Sequence, residues 1–345
     1  MRKMIAGLLI TALAVTSVGC GQTPSVQAAG KEKEAVQIGI IFDTFVIPRW
    51  QRDRDLFVTT AKELGAEVDV QNANGSIAEQ KKEMEYFISQ QMDAIVVIPI
   101  EAEALQEEIK AAKDAGIPVI SYDRLALDSN VDLYISFDNE AVGGLMGKAL
   151  ADTLEPGSKV LMICGSREDN NVAQVEIGFR KAIQKNSLMV TDCVYMKDWN
   201  TDYVEEYLES HLDEVSQVQA IMCGNDALAG QAITTLVEHQ RMGDIKVVGQ
   251  DADLDGCQRI VEGMQYMTVY KSVNQLAAEA ARAAVSMAKG EKVETTTTIS
   301  DGTHEVPYIC LTPIAVTAEN MDQTIIDSGF HTKEEVYMNR PELMK

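Results

Sequence analysis

Polar and charged residues directly follow most of the apolar, β-branched runs of the sequence. Such runs predict buried strands, and ligands of open α/β sheets bind beyond the carboxyl ends of the strands. The positions that follow the runs are Asp43, Asp123, Arg124, Asp138, Asn139, Asn170, Asn171, Asn225, Asp226, Gln250, Asp251 and Lys271. The sequence therefore predicts a polar site assembled from many strand ends.

The mixture of charges in this set indicates the chemistry of the ligand. A sugar hydroxyl both donates and accepts hydrogen bonds, so it needs carboxylates beside cationic and amide donors. A phosphate or carboxylate ligand would require surplus positive charge. Three carboxylates here roughly offset three cations, namely Asp123, Asp226 and Asp251 against Arg49, Arg124 and Lys271. The balance favours a neutral polyol.

The two tryptophans, Trp50 and Trp199, could supply flat apolar contact to the C–H face of a sugar ring. Each can also be an ordinary core residue. Likewise, an Asp or Asn at a strand end can instead cap the next helix. Arg124 and Lys271 escape this second interpretation, because neither has a side-chain oxygen with which to cap a helix.

The elements that must position these residues alternate regularly from Val36 onward. Short apolar runs are separated by longer segments of helical period, which is typical of βαβ units and parallel sheets. One set of units ends near Asn139, and a second begins at Gly157. We predict an α/β protein with two doubly wound parallel-sheet lobes joined by a three-crossing hinge. The predicted ranges are 35–138 plus 272–305 for the N-terminal lobe, 139–271 plus 306–331 for the C-terminal lobe, and 332–345 for a C-terminal tail.

The N-terminus has the features of an export signal. Arg2 and Lys3 precede an apolar run that is shorter than the ~20 residues of a membrane-spanning helix. The following Gly19-Cys20 pair resembles a lipobox, so we predict a signal peptide over 1–19, lipidation of Cys20 and a flexible linker over 20–34. In the alternative, cleavage after Ala29 discards Cys20. The predicted location is extracytoplasmic, on the outer face of the cell membrane.

The overall charge and the cysteines exclude several classes of function. A formal net charge of −23 argues against binding to nucleic acid or to an anionic membrane surface. Beyond Cys20, the cysteines have irregular spacing and form no CxxC motif, so a disulfide framework, a zinc site or redox chemistry is not expected. We interpret them as small buried apolar residues: Cys164, Cys193, Cys223, Cys257 and Cys310.

Ten sequence segments between about residues 36 and 331 carry a family resemblance. They are RWQRDRDLF, QNANGS, SYDR, YISFDNEAVG, DNN, GNDALAG, GQDADL, MTVYKS, LTPIAV and DSGFH. Together they resemble the pentose and hexose class of type I periplasmic binding proteins, the substrate-binding proteins of ABC importers. The resemblance implies the type I periplasmic binding protein fold, a monosaccharide ligand with D-xylose favoured, an ABC permease as partner, no cofactor and a monomer.

The resemblance also assigns roles to particular residues. The family's sugar contacts fall on Arg49, Arg124, Asn171, Trp199, Asn225, Asp251 and Lys271, to which we add Asp123, Asp226 and Trp50. The chain departs from the family's pattern at Pro48 and at Arg167-Glu168. Both departures adjoin proposed contacts and therefore bear on the choice of sugar.

A calcium site is one alternative that the sequence raises. Residues Asp251–Glu262 match the loop pattern of an EF-hand. An apolar strand rather than a helix precedes the segment, however, and polar Gln258 occupies a position that is usually apolar. We expect no metal here and a helix from Asp255 onward.

Two further alternatives concern function. Paired carboxylates in a cleft can serve a glycoside hydrolase, but the sequence has no nucleophile elbow, HExxH motif or phosphate loop. We therefore predict a binding protein rather than an enzyme. In the other alternative, the sugar-bound form engages a membrane sensor kinase or chemoreceptor instead of a permease, and the sequence leaves these two partners open.

Overall fold

The computed structural model describes residues 35–344, apart from Ile47 and Thr296. The predicted signal peptide, Cys20 and the linker over 20–34 lie outside the described residues. Within the described part of the chain, no helix has both the length and the apolar character needed to cross a membrane.

The first lobe is built on a seven-stranded sheet in the order β11-β12-β5-β4-β3-β1-β2. Its strands pair in parallel, except that β11 runs antiparallel to β12. The strands are β1 (Val36–Phe42), β2 (Ala66–Asn72), β3 (Ala94–Val97), β4 (Val119–Tyr122), β5 (Leu133–Phe137), β11 (Thr297–Ser300) and β12 (Glu305–Leu311).

The second lobe contains a four-stranded parallel sheet in the order β7-β6-β8-β9 and an antiparallel pair, β10-β13. A bridge between Val248 and Met267 connects the two groups of strands. The strands are β6 (Lys159–Cys164), β7 (Met189–Tyr195), β8 (Ala220–Cys223), β9 (Lys246–Val248), β10 (Thr268–Tyr270) and β13 (Ile314–Val316).

Eleven α-helices are present among the described residues. They are α1 (Pro48–Glu63), α2 (Ile77–Ser89), α3 (Gln106–Asp114), α4 (Asn139–Ala151), α5 (Asn170–Gln184), α6 (Asp202–Ser210), α7 (Leu212–Val215), α8 (Asp226–Glu238), α9 (Leu254–Glu262), α10 (Val273–Ala288) and α11 (Lys333–Val336). Short 3₁₀ turns at Lys197–Trp199 and Pro341–Leu343 and a π-helical turn at Asp322–Ile326 complete the secondary structure.

The apolar runs form strands because both faces of each sheet are covered. Every residue of β3, β4 and β5 is buried, as expected for central parallel strands between two layers of helices. The helices bury one stripe each; in α2, for example, Gln80, Met84 and Phe87 are buried at helical spacing. The prediction of two parallel α/β lobes is confirmed.

The chain passes between the two sheets three times, after β5, after β10 and after β12. The third predicted boundary, between residues 305 and 306, is wrong. Tyr308–Leu311 of β12 pair with Tyr134–Phe137 of β5 in the first sheet, so the passage falls between Leu311 and Ile314. Residues 306–311 were therefore predicted in the wrong lobe, because the sequence of a strand does not specify which sheet the strand joins.

The predicted C-terminal tail over 332–345 is also corrected. Val336 and Tyr337 are 1% and 7% exposed and belong to an apolar cluster with Cys257, Met321 and Phe330. Only two apolar residues among charged neighbours anchor this segment, which gives too short a pattern for a periodicity argument.

Candidate functional site

A cavity lies between the lobes at the carboxyl ends of both sheets. We call it the interlobe cavity. About 580 Å³ of space, part of it open to solvent, lies among its lining residues. The lining residues are Arg49, Trp50, Asp123, Arg124, Asn139, Cys164, Gly165, Asp169, Asn171, Val172, Val175, Trp199, Met222, Gly224, Asn225, Gln250, Asp251 and Lys271.

The first-lobe wall of the cavity consists of Arg49, Trp50, Asp123 and Arg124. Arg49 and Trp50 lie in the first turn of α1, whereas Asp123 and Arg124 directly follow β4. The Arg49 guanidinium donates to Asp123 and lies 3.5 Å from a carboxylate oxygen of Asp53. It also lies over the Trp50 ring, 4.5 Å from the centroid. Trp50 is 2% exposed and packs in the first-lobe core, and it also lines the cavity.

The buried charges of this wall keep one another ionised. Burial lowers the pKa of Arg49, but the Asp123 and Asp53 carboxylates outweigh it, so the pKa lies well above its usual value. Burial also raises the pKa of Asp123, and here Arg49 and Lys271 outweigh it, so the pKa of this carboxyl is lowered. Both side chains are therefore charged at neutral pH.

Arg124 joins the two lobes. Its Nη1 lies 2.7 Å from Asp43 Oδ2 in the first lobe, and its Nε lies 2.8 Å from Asp169 Oδ2 in the second. Backbone contacts reinforce this junction, since Leu125 N donates to Asn170 Oδ1 at 3.1 Å. The lobes are thus in direct contact beside the cavity.

Asp251 and Lys271 form an ion pair on the second-lobe wall. Lys271 Nζ lies 2.7 Å from Asp251 Oδ1, and Arg49 Nη1 approaches the same oxygen to 3.8 Å across the cavity. Asp251 follows β9 with a φ of 95°, and Asp123 follows β4 with a φ of 62°. Left-handed backbone at non-glycine residues is costly and concentrates at functional sites.

Asn171 is fixed by contacts from both lobes. Its Nδ2 donates to the carbonyl oxygen of Asp123 at 3.0 Å, and its Oδ1 accepts from Asn139 Nδ2 at 3.0 Å. The same Asp123 carbonyl accepts from the hydroxyls of Tyr134 and Ser136. This turn after β4 is therefore held by three separate donors.

Trp199 lies against two glycines at the ends of neighbouring strands. A Cβ atom on Gly165 would approach the Trp199 ring to 2.3 Å, and one on Gly224 would approach it to 3.1 Å. The absence of side chains there lets the indole lie on the floor of the cavity. Asp198 and Trp199 have φ values of 54° and 57°, so the turn that presents the ring is strained as well.

Three buried polar atoms of cavity residues make neither a hydrogen bond nor an ion pair with any described residue. They are the indole nitrogens of Trp50 and Trp199 and Oε1 of Gln250. Leaving such atoms unpaired is costly. A ligand with hydroxyl groups can satisfy both the donors and the acceptor.

The structure does not place Asp226 in the cavity, although its neighbour Asn225 lines it. Asn225 Oδ1 accepts from Leu228 N and caps α8. Asp226 points the other way, where its carboxylate accepts from Gln265 Nε2 at 2.7 Å and from Thr268 Oγ1 at 2.8 Å. The prediction that Asp226 contacts the ligand is therefore corrected to a role inside the second lobe.

Nine of the ten predicted site residues line the cavity, and sequence reasoning missed three polar ones: Asn139, Asp169 and Gln250. Asn139 and Gln250 were in the set of strand-end residues, and Asp169 precedes the Asn170-Asn171 pair. With Asp169 in place of Asp226, three carboxylates still face three cations. The inferred charge balance of the cavity is therefore retained with a different member.

The calcium-like segment folds as expected for a strand followed by a helix. Leu254–Glu262 form α9, and Asp253 N donates to Asp226 Oδ2 at 3.1 Å. Asp255 and Glu262 therefore belong to a helix rather than to a twelve-residue loop.

Known proteins support this architecture. Residues 38–292 match the periplasmic binding protein domain. The chain is 38% identical to the D-xylose-binding periplasmic protein of Escherichia coli, over 97% of this chain and 99% of that protein. It is also 38% identical to the one of Haemophilus influenzae, over 94% and 98%.

A solved structure agrees with the sequence comparison. The carbohydrate transporter solute-binding protein of Chloroflexus aurantiacus, in complex with D-glucose, is 26% identical with a TM-score of 0.81 and covers 87% of this chain and 98% of its own. These relatives are binding proteins, which confirms the prediction that the chain is not an enzyme. The chain belongs to the periplasmic binding protein family with the type I fold, the family that includes the D-xylose-binding proteins of E. coli and H. influenzae.

Proposed function

We propose that the chain captures a neutral monosaccharide, D-xylose in preference to others, in the interlobe cavity and delivers it to an ABC importer as a monomer. The observation that carries this proposal is the balance of three cations and three carboxylates around a cavity with two tryptophans. Such a wall offers donors and acceptors for hydroxyls and no surplus charge for an anion. As a periplasmic binding protein, the chain is extracytoplasmic.

The relatives support xylose over other sugars. Two curated proteins at 38% identity are named for D-xylose binding, whereas the glucose complex comes from a protein at 26% identity. The departures at Arg167 and Glu168 are compatible with this choice, because neither is among the cavity-lining residues. Arg167 instead lies over the Tyr195 ring at 3.7 Å, and Glu168 accepts from Ser166 at 2.6 Å.

Closure of the lobes is the proposed mechanism. Arg124–Asp169 and Arg49–Asp251 link the walls across the cavity, and a sugar between the walls would add contacts to both at once. A ligand that binds the closed form better than the open form shifts the population toward closure. The three chain passages between the lobes provide the hinge.

Calorimetry with purified protein tests the ligand. We expect D-xylose to bind more tightly than D-glucose, D-ribose and L-arabinose, because those sugars differ by a CH₂OH group or by the direction of a hydroxyl. The sugar acid D-xylonate serves as the charged control and should bind much more weakly. Preference for the acid would contradict the balanced-charge argument, and preference for another neutral sugar would overturn only the choice of xylose.

The partner is tested in cells. Deleting the gene and measuring xylose uptake separately from xylose-induced transcription distinguishes an importer from a sensor. Loss of uptake supports delivery to a permease. Normal uptake with lost induction would instead assign the chain to a sensor kinase or chemoreceptor.

We also propose that Cys20 is lipidated and tethers the protein to the outer face of the membrane. The support is the Gly19-Cys20 pair at the end of the apolar signal segment. Intact-mass measurement of the membrane fraction should show a diacylglyceryl adduct on a chain that begins at Cys20. A Cys20→Ser variant should appear in the soluble fraction. An unmodified chain that begins after Ala29 would overturn the anchor.

A further inference from the structure

Three potential metal ligands meet beside the interlobe cavity, where α5 covers the edge of the second sheet. Cys164 ends β6, Cys193 lies on the edge strand β7, and Glu176 lies on α5. In the β6–β7 register the two cysteines are two positions apart, so their side chains leave the same face. Their ligand atoms and the Glu176 carboxylate all lie within 4.8 Å of one another.

The spacing of these atoms fits one tetrahedral ion. With Zn–S near 2.3 Å and Zn–O near 2.1 Å, two sulfur ligands lie about 3.8 Å apart, and a sulfur and an oxygen about 3.6 Å apart. The Cys164 and Cys193 sulfurs are 3.7 Å apart, and the Cys193 sulfur lies 3.9 Å from Glu176 Oε1. We propose that Cys164, Cys193 and Glu176 form a binding site for a thiophilic divalent cation such as Zn²⁺.

Neighbouring side chains hold the Glu176 carboxylate in place. The Tyr195 hydroxyl donates to Glu176 Oε2 at 2.5 Å, and Arg180 Nε donates to Oε1 at 2.7 Å. These bonds orient the carboxylate, as outer-shell partners of metal ligands do.

Charge and access are also suitable. Two thiolates and one carboxylate around a dication leave one net negative charge, which the Arg180 guanidinium beside Glu176 offsets. Cys193 and Glu176 are partly exposed, so a cation can enter from the outer side of the sheet. Three protein ligands leave one tetrahedral position for water.

Titration of the full exported chain with Zn²⁺, after reduction with a phosphine and removal of metal, tests the site. The readout is competition with a chromophoric chelator, supported by the thiolate charge-transfer absorption of Cd²⁺. We expect one equivalent to bind, with affinity at least tenfold weaker in Cys164→Ser and in Cys193→Ser. Glu176→Gln retains both thiols and should weaken binding less.

Cys310→Ser is the matched control, since it removes a thiol of similar partial burial on a strand of the other lobe. It should bind Zn²⁺ like the parent chain. Circular dichroism confirms that each variant folds. The site is refuted if the reduced parent chain binds no Zn²⁺, or if the Cys310 variant weakens binding as much as the Cys164 and Cys193 variants.

Cys164 also lines the interlobe cavity, so metal and sugar should be coupled. This extension rests on the proposed function. Saturating Zn²⁺ should change the D-xylose affinity at least threefold, and xylose should change the Zn²⁺ affinity by the same factor. Zn²⁺ binding without any coupling overturns the extension alone, whereas a chain that binds no sugar leaves the metal titration as an independent test.

Discussion

The first-lobe wall of the interlobe cavity carries two arginines and one aspartate, whereas the second-lobe wall carries two aspartates and one lysine. The walls therefore have opposite net charges and are joined by Arg124–Asp169 and Arg49–Asp251. Opposite charge on facing walls favours approach of the lobes, and the balance between them leaves the cavity neutral.

The walls also differ in how their residues are held. Arg49 and Arg124 are each paired within the first lobe, with Asp123 and Asp43, so that wall does not need the second lobe for its shape. The second wall presents Trp199 on a left-handed turn and Gln250 with an unpaired oxygen. Unpaired polar atoms remain on both walls, at Trp50 on the first and at Trp199 and Gln250 on the second, and we infer that ligand contacts complete both. The predictions below concern D-xylose affinity and run from the largest effect to the smallest.

Asp251→Ala should weaken binding most, on the order of 100-fold. It leaves Lys271 without its partner and removes the counter-charge that faces Arg49, and breaking a buried pair costs roughly 3 kcal/mol or more. Calorimetry at fixed ionic strength measures the change. Asp255→Ala, an exposed position four residues on, is the matched control and should bind normally. Unchanged affinity in the Asp251 variant would refute the assigned pocket.

Gly165→Ala should weaken binding about 30-fold. The new methyl group would overlap the Trp199 ring, and displacing such a packed group costs roughly 2 kcal/mol. Gly144→Ala in α4 is the control, because a Cβ there meets nothing within 4 Å. Equal affinities of these two variants would show that the position of the indole does not matter.

Asp169→Asn should weaken binding about tenfold and favour the open form. Asn retains the cap of α5 but lacks the charge that Arg124 faces, and a charged hydrogen bond contributes about 1.5 kcal/mol. Small-angle scattering should give a larger radius of gyration without sugar. Asp152→Asn removes an exposed surface pair instead and should change neither quantity. A compact unliganded Asp169 variant would argue against electrostatic closure.

Asn225→Asp should weaken binding about fivefold, because it keeps the cap of α8 while replacing an amide donor with a carboxylate. The melting temperature should change little. If melting falls and affinity stays constant, Asn225 acts as a cap alone.

Asp226→Asn should leave the affinity within a factor of two and alter the pH dependence of stability. Burial and the nearby Asp253 raise the pKa of Asp226 to about 8, against about 4 in the unfolded chain. The folded state thus binds more protons between these values, and the free energy of unfolding falls as pH rises from about 5 to 8. Asn binds no proton, so urea unfolding at pH 5 and pH 8 should differ less in the variant. A large loss of sugar affinity would return Asp226 to the site.

Much of the fold could be predicted because the central strands are buried on both faces and form nearly continuous apolar runs. The predicted alternation of short strands and longer helices is present along the chain. The edge strand β7 departs from this pattern, because Thr191 and Asp192 interrupt it with polar, exposed residues. The third passage between the lobes was predicted at the wrong position because only two residues separate β12 from β13. Which sheet each strand joins depends on pairing with strands that are distant in the sequence.

The sequence by itself determined the alternation of strands and helices, the polar strand ends and the balance of charge, since these depend on local composition. Only the tertiary structure decided which way neighbouring side chains face. Asn225 enters the cavity while Asp226 turns inward to Gln265 and Thr268. It also brought Cys164 and Cys193 together from positions 29 residues apart. Strand pairing brings together residues that are distant in the chain, and no local pattern records that pairing.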